Sequence, residues 1–140
     1  MNPIAAILSA IQNIHRLKSR APRREYWWVF ALLFVGLIGA FMINAALFPD
    51  GPEDSALYSV LTFAFIFFYV PTLLLTLSVT IRRLHDLDMS AWYLITYLMP
   101  FGLGIFVMAY VLSRKGNSGP NRYGRDPLYV DVFSDVEEFG

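Results

Sequence analysis

Three long apolar runs without a charged residue constrain this chain more than any other feature. They cover residues 26–48, 57–81 and 92–112. Each is about 20 residues or more, the length that a helix needs to cross roughly 30 Å of hydrocarbon. A soluble domain would interrupt such runs with polar residues on its solvated face. The sequence therefore predicts an all-α membrane protein with three hydrophobic helices, preceded by a short amphipathic helix.

The composition leaves little room for a second module. Of the 140 residues, 56% are hydrophobic and 16% are charged, which predicts one transmembrane domain over residues 1–127. Residues 128–140 are read as an acidic C-terminal extension. The absence of cysteine excludes disulfides and thiolate chemistry. The only histidines, His15 and His85, lack the spacing of metal ligands. We therefore expect no metal, no cofactor and no catalytic residue.

The N-terminal segment is predicted to form an amphipathic helix over residues 3–18. Ile4, Ile7, Leu8, Ile11 and Ile14 recur at helical spacing. Such a helix fits the membrane interface, and packing against the protein's own bundle is the alternative.

Basic residues cluster at the ends of the apolar runs. Those before the first run are assigned to the membrane surface: Arg16, Lys18, Arg20, Arg23 and Arg24. Because Lys and Arg favour the cytoplasmic side, they predict a cytoplasmic N-terminus.

The third run allows two topologies. Proline and glycine residues interrupt it at positions 100–104, and such breaks occur in re-entrant segments. Full crossing would place seven Lys/Arg inside and four outside, whereas a re-entrant hairpin would place all eleven inside, as the positive-inside rule prefers. Because the run is long enough to cross, we prefer three full crossings. The break and the charges favour the hairpin.

Polar residues follow the second run and again follow the third. Arg82 and Asp86 are spaced to pair on one helical face, and Asp88 to Ser90 fit a tight turn with a helix cap. The tail, residues 113–127, is rich in glycine, proline and asparagine, which is typical of consecutive turns. It is expected to fold back onto residues 82–86.

Three motifs in this order resemble the DUF805 family over residues 16–127. They are Arg23-Arg24-Glu25-Tyr26-Trp27-Trp28, Arg82-Arg83-Leu84-His85-Asp86 with Ser90 and Trp92, and the segment from Gly119 to Pro127. Ser19 and Ala91 stand where glycine is usual in that family. The resemblance implies small bacterial inner-membrane proteins of unknown function, and it supplies no catalytic residues.

The resemblance also selects one polar constellation as a ligand site: Arg82, Arg83, His85, Asp86, Asn121, Tyr123 and Asp126. The preferred function is non-enzymatic binding or scaffolding, in which basic residues contact anionic lipid headgroups or a partner protein. Nucleic acid is not an expected partner, and a homo-oligomer remains open. The alternatives are an oligomeric transporter or channel, suggested by Pro71 and the hydroxyl residues after it, and a lipid-headgroup enzyme using His85 and Asp86.

Overall fold

The computed structural model describes residues 2–49 and 56–127, except for the side chain of Phe101. Four α-helices follow one another in these ranges, and we number them in chain order. They are α1 (Pro3–Gln12), α2 (Arg23–Leu47), α3 (Ala56–Asp86) and α4 (Leu103–Ser113). Two 3-10 helices, Ala91–Leu98 and Pro100–Gly102, connect α3 to α4. The predicted all-α class is confirmed.

Helix α1 is shorter than the predicted helix 3–18. The side chain of Asn2 caps it by accepting a hydrogen bond from the Ala5 amide at 2.7 Å, as asparagine does at helix N-termini. It ends at Gln12, where the amide group of Asn13 donates to the Ser9 carbonyl. Ala6 and Ala10 are buried in the bundle, whereas Ile4, Leu8 and Ile11 are exposed.

Helices α2 and α3 are the two longest helices, and they pack against each other. Both are long and apolar enough to cross a membrane. Only 6% and 11% of their most apolar stretches are buried inside the protein, so most of this apolar surface needs lipid around it. The apolar part of α3 ends at Ile81, and the helix continues through residues 82–86 beyond it.

The third apolar run does not form one continuous helix, in contrast to the single spanning helix that three full crossings would require. The 3-10 helix Ala91–Leu98 and α4 lie against each other as the two arms of a hairpin. Gly102 allows the reversal because it adopts a left-handed conformation, with φ of 71°. Gly104 permits close contact of the arms, since a Cβ there would overlap the Thr96 carbonyl group.

The buried core lies at one end of the molecule. Tyr26 and Val29 of α2 pack there with Val79 and Leu84 of α3 and with Leu112 of α4. Beyond this core lie the residues that we call the polar cap: 13–25, 82–90 and 113–127. The cap joins the N-terminal segment, the end of α3 and the tail.

Candidate functional site

Arg20 and Asp86 form the central ion pair of the polar cap. The Nε and Nη2 atoms of Arg20 each lie 2.9 Å from Asp86 Oδ1, and both side chains are buried. The remaining hydrogen bonds of Arg20 go to the backbone carbonyls of Asn117, Gly119 and Gly124. One guanidinium therefore binds α3 and the tail together, as its planar fork of donors allows.

Arg82 holds the N-terminal segment to α3. Its Nη1 lies 2.7 Å from Glu25 Oε1, its Nε donates to Ser19 Oγ at 2.8 Å, and its carbonyl accepts from the Ala21 amide. Ser9 of α1 donates to the other oxygen of Glu25 at 3.1 Å. The expected pairing of Arg82 with Asp86 is thus wrong. Arg82 pairs with Glu25, and Asp86 pairs with Arg20 and Arg83.

Arg83 holds the end of the hairpin. It donates to Asp86 Oδ2 and to the carbonyls of Leu112 and Arg114. Leu112 lies in the last turn of α4, where the backbone carbonyls have no hydrogen-bond partner within the helix. Arg83 itself is fully buried, and it supplies these carbonyls with the donors that the helix lacks at its end.

His85 stacks on Tyr123 of the tail. The ring centroids are 3.8 Å apart and the planes differ by 8°. Arg122 lies over the Tyr123 ring and pairs with Asp88 at 3.0 Å. Burial lowers the pKa of His85, although the nearby backbone of Leu17 and Ser19 opposes the shift. Burial thus favours the neutral imidazole, and the nearby positive charge of Arg122 acts in the same direction.

Asp86 is the carboxylate that most parts of the cap share. Burial raises its pKa above the ordinary value, while the guanidinium groups of Arg83 and Arg20 act in the opposite direction. The backbone carbonyl of Asp86 also accepts from the Asn117 amide at 2.9 Å. Gly116 lies so close to the carboxylate that any Cβ would overlap it.

The tail folds back onto α3, as predicted. Asn121 donates through its side chain to the His85 carbonyl at 2.9 Å and accepts from the Tyr123 amide. Asp126 accepts from the Gly119 amide at 3.2 Å and so closes the turn. Gly119 and Gly124 both have positive φ, of 82° and 128°, which explains why glycine suits these turns.

The hydroxyl residues after Pro71 bond mainly within their own helix. Thr72, Thr76 and Thr80 each donate to the carbonyl four residues earlier, and Ser78 donates to the Ile14 carbonyl. These bonds account for the cluster without a transport path.

The structure brings the seven predicted ligand residues into one cap, but it gives the buried arginines internal partners. The assignment of Arg20 to the membrane surface is wrong, because this residue lies inside the buried network. Arg16, Lys18, Arg23 and Arg24 are exposed. Glu25, which is 1% exposed, was not among the predicted site residues. The sequence does contain a signal for it, because Glu25 is the only acidic residue within the basic segment 16–25. The extension 128–140 lies outside the described residues.

A cavity of about 450 Å³ opens beside this network. It lies between α1, the segment after it and the tail. Arg16, Arg20, Glu25, Arg82, Tyr123 and Arg125 contribute to its wall.

Comparison with known proteins gives the family. The sequence profile of the family described as "Protein of unknown function (DUF805)" matches residues 14–125. The chain belongs to the DUF805 family. It is 36% identical to the inner membrane protein YhaI of Escherichia coli K12 over 124 residues, which is 87% of this chain and 94% of YhaI. It is 31% identical to the inner membrane protein YhaH of the same organism over 121 residues, 86% of this chain and 93% of YhaH.

No solved structure matches the chain. The DUF805 match, together with the two long apolar helices, confirms the prediction of an all-α membrane protein.

Proposed function

We propose that this DUF805 protein is a multi-pass protein of the bacterial inner membrane that binds anionic lipid headgroups through its polar cap. One observation carries the proposal: all eleven Lys and Arg residues lie at the same end of the α2–α3 pair. Four acidic residues lie among them, namely Glu25, Asp86, Asp88 and Asp126. The cap thus carries a net charge of +7.

The same charge distribution supports a topology. Positive residues favour the cytoplasmic side, so the cap is cytoplasmic, α2 and α3 cross the bilayer, and the hairpin returns to the side that it left. The resemblance to YhaI and YhaH supports the inner membrane as its location.

The buried and exposed arginines have different tasks in this proposal. Arg20, Arg82 and Arg83 are engaged by carboxylates and carbonyls and hold the cap in shape. The exposed basic residues face the headgroups, where each Lys or Arg contributes about 1 kcal/mol near an anionic surface. Trp27 and Trp28 are exposed next to them, at the level where aromatic anchors meet the headgroups.

Energy transfer from tryptophan to labelled lipid tests the function. The full chain is placed in nanodiscs that contain dansyl-labelled phosphatidylglycerol or dansyl-labelled phosphatidylcholine. We expect stronger transfer to the anionic lipid, a decrease with added salt because exposed charges are screened, and a decrease in the variant K18Q/R24Q. Equal transfer to both lipids at low salt would overturn the proposal.

A further inference from the structure

The cavity in the polar cap has an unequal distribution of charge. Four arginines and one glutamate contribute to its wall. Glu25 is already bound by Arg82, and Arg20 is bound by Asp86. Among the residues that the structure describes, those pairs leave two arginines of the wall without a carboxylate partner.

These two residues are Arg16 and Arg125, and both are exposed. Within residues 2–49 and 56–127, neither guanidinium makes a hydrogen bond or an ion pair, in contrast to the three buried arginines. They come from opposite parts of the chain, one from the segment after α1 and the other from the tail. Tertiary folding therefore brings both to the wall of the same cavity.

Two guanidinium groups at one cavity are suited to a phosphate group. Each offers a planar pair of donors that matches two phosphate oxygens, and such charge-assisted bonds are stronger than neutral ones. The volume falls within the range of roughly 300–1,000 Å³ typical of small-molecule sites.

We propose that this cavity is a phosphate-binding site in which Arg16 and Arg125 contact the phosphate oxygens. The inference rests on the proposed function, since it assigns headgroup recognition to a defined site. The phosphate belongs either to an anionic glycerophospholipid or to a free phosphate compound, and the two sources share this chemistry.

Calorimetric titration of the full chain in a non-ionic detergent tests the site with three probes. They are dihexanoyl phosphatidylglycerol, dihexanoyl phosphatidylcholine and inorganic phosphate. Binding of phosphatidylglycerol alone identifies a lipid site, and binding of inorganic phosphate as well shows that phosphate suffices. Phosphatidylcholine is expected to bind weakly, because its choline cation would meet the same arginines.

The variant R16Q/R125Q is compared with K18Q/R24Q, which removes the same charge from exposed positions outside the cavity wall. We expect R16Q/R125Q to weaken binding at least tenfold, as the loss of charge-assisted bonds predicts, and K18Q/R24Q to weaken it by a clearly smaller factor, because those two residues contribute only long-range attraction to the probe. Equal effects of the two variants, or no binding of any probe, would overturn the site.

The two proposals fail in different ways. If energy transfer to phosphatidylglycerol persists in nanodiscs while R16Q/R125Q binds all probes like the wild type, the cavity site fails and the general function stands. If energy transfer shows no lipid preference but inorganic phosphate binds and R16Q/R125Q abolishes that binding, the site stands and the lipid function fails.

Discussion

Arg20 and Asp86 are 66 residues apart in sequence, yet they form a buried ion pair with 2.9 Å between Arg20 Nη2 and Asp86 Oδ1. The pair connects the segment before α2 with the last residue of α3. Because Arg20 also donates to three carbonyls of the tail, one side chain couples three parts of the cap.

Replacement of Arg20 by glutamine is expected to destabilise the protein strongly. It would remove one charge of a buried pair and leave the tail carbonyls without their donor, at a cost of about 3–5 kcal/mol. The midpoint of thermal unfolding in detergent measures this loss. Arg24→Gln, an exposed change of the same type, serves as the control and should unfold like the wild type. Equal midpoints for both variants would contradict the assigned role of Arg20.

Replacement of Gly116 by alanine is expected to displace the tail. The added methyl group would overlap the Asp86 carboxylate, so either the tail or the carboxylate must move. A cysteine introduced at Ser118 should then react faster with a thiol reagent than the same cysteine in an otherwise native chain. Gly119→Ala is not a suitable control because of its positive φ, whereas Gly36→Ala is, since nothing lies within 4 Å of its added Cβ. Unchanged reactivity in Gly116→Ala would argue against the docked tail.

Replacement of Gly104 by alanine is expected to open the hairpin. A Cβ at this position would overlap the Thr96 carbonyl of the facing arm, and the overlap is with backbone, which cannot rotate away. Overpacking of this kind costs about 1–3 kcal/mol or more. Thermal unfolding of Gly104→Ala, compared with Gly39→Ala in the open part of α2, measures the effect. A native midpoint for Gly104→Ala would show that the two arms are not in close contact.

Labelling of single cysteines tests the topology. The native chain contains no cysteine, so one residue at a time is replaced at Ser55, Ser90 and Ser118. In sealed inside-out vesicles an impermeant reagent should label positions 90 and 118, because both flank a hairpin that returns to its starting side. Position 55 should be protected. Labelling of 90 and 118 from opposite sides would require a third crossing.

Acidification is expected to destabilise the cap through His85. Its pKa in the folded protein is lowered by burial, so the unfolded chain binds more protons just below its ordinary pKa of about 6.5. Stability therefore falls as the pH decreases from about 6.5 towards the lower folded pKa. The variant His85→Phe keeps an aromatic ring against Tyr123 and removes the titration.

The midpoint of unfolding between pH 7 and pH 5 should consequently decrease more in the wild type than in His85→Phe. Groups common to both proteins, including Asp86, largely cancel in this difference. Parallel pH profiles for the two proteins would show that His85 protonation is not linked to folding.

The sequence by itself determined the helical class, the two long spans and the position of the break in the third run. These follow from local properties: the length of an apolar run, the loss of a backbone donor at Pro100 and the conformational freedom of Gly102. It also indicated that the tail returns to residues 82–86, because Asn121, Tyr123 and Asp126 alternate there with turn and basic residues.

Only the tertiary structure decided the hairpin path of the third run and the partners of the arginines. Run length alone is compatible with a full crossing, whereas contact between the two arms depends on the close fit of Gly104 against Thr96. Likewise, the spacing of Arg82 and Asp86 favours a local pair. Burial brings Glu25 and Arg20 near them, and each carboxylate then pairs with the guanidinium that reaches it, since an unpaired buried charge is too costly.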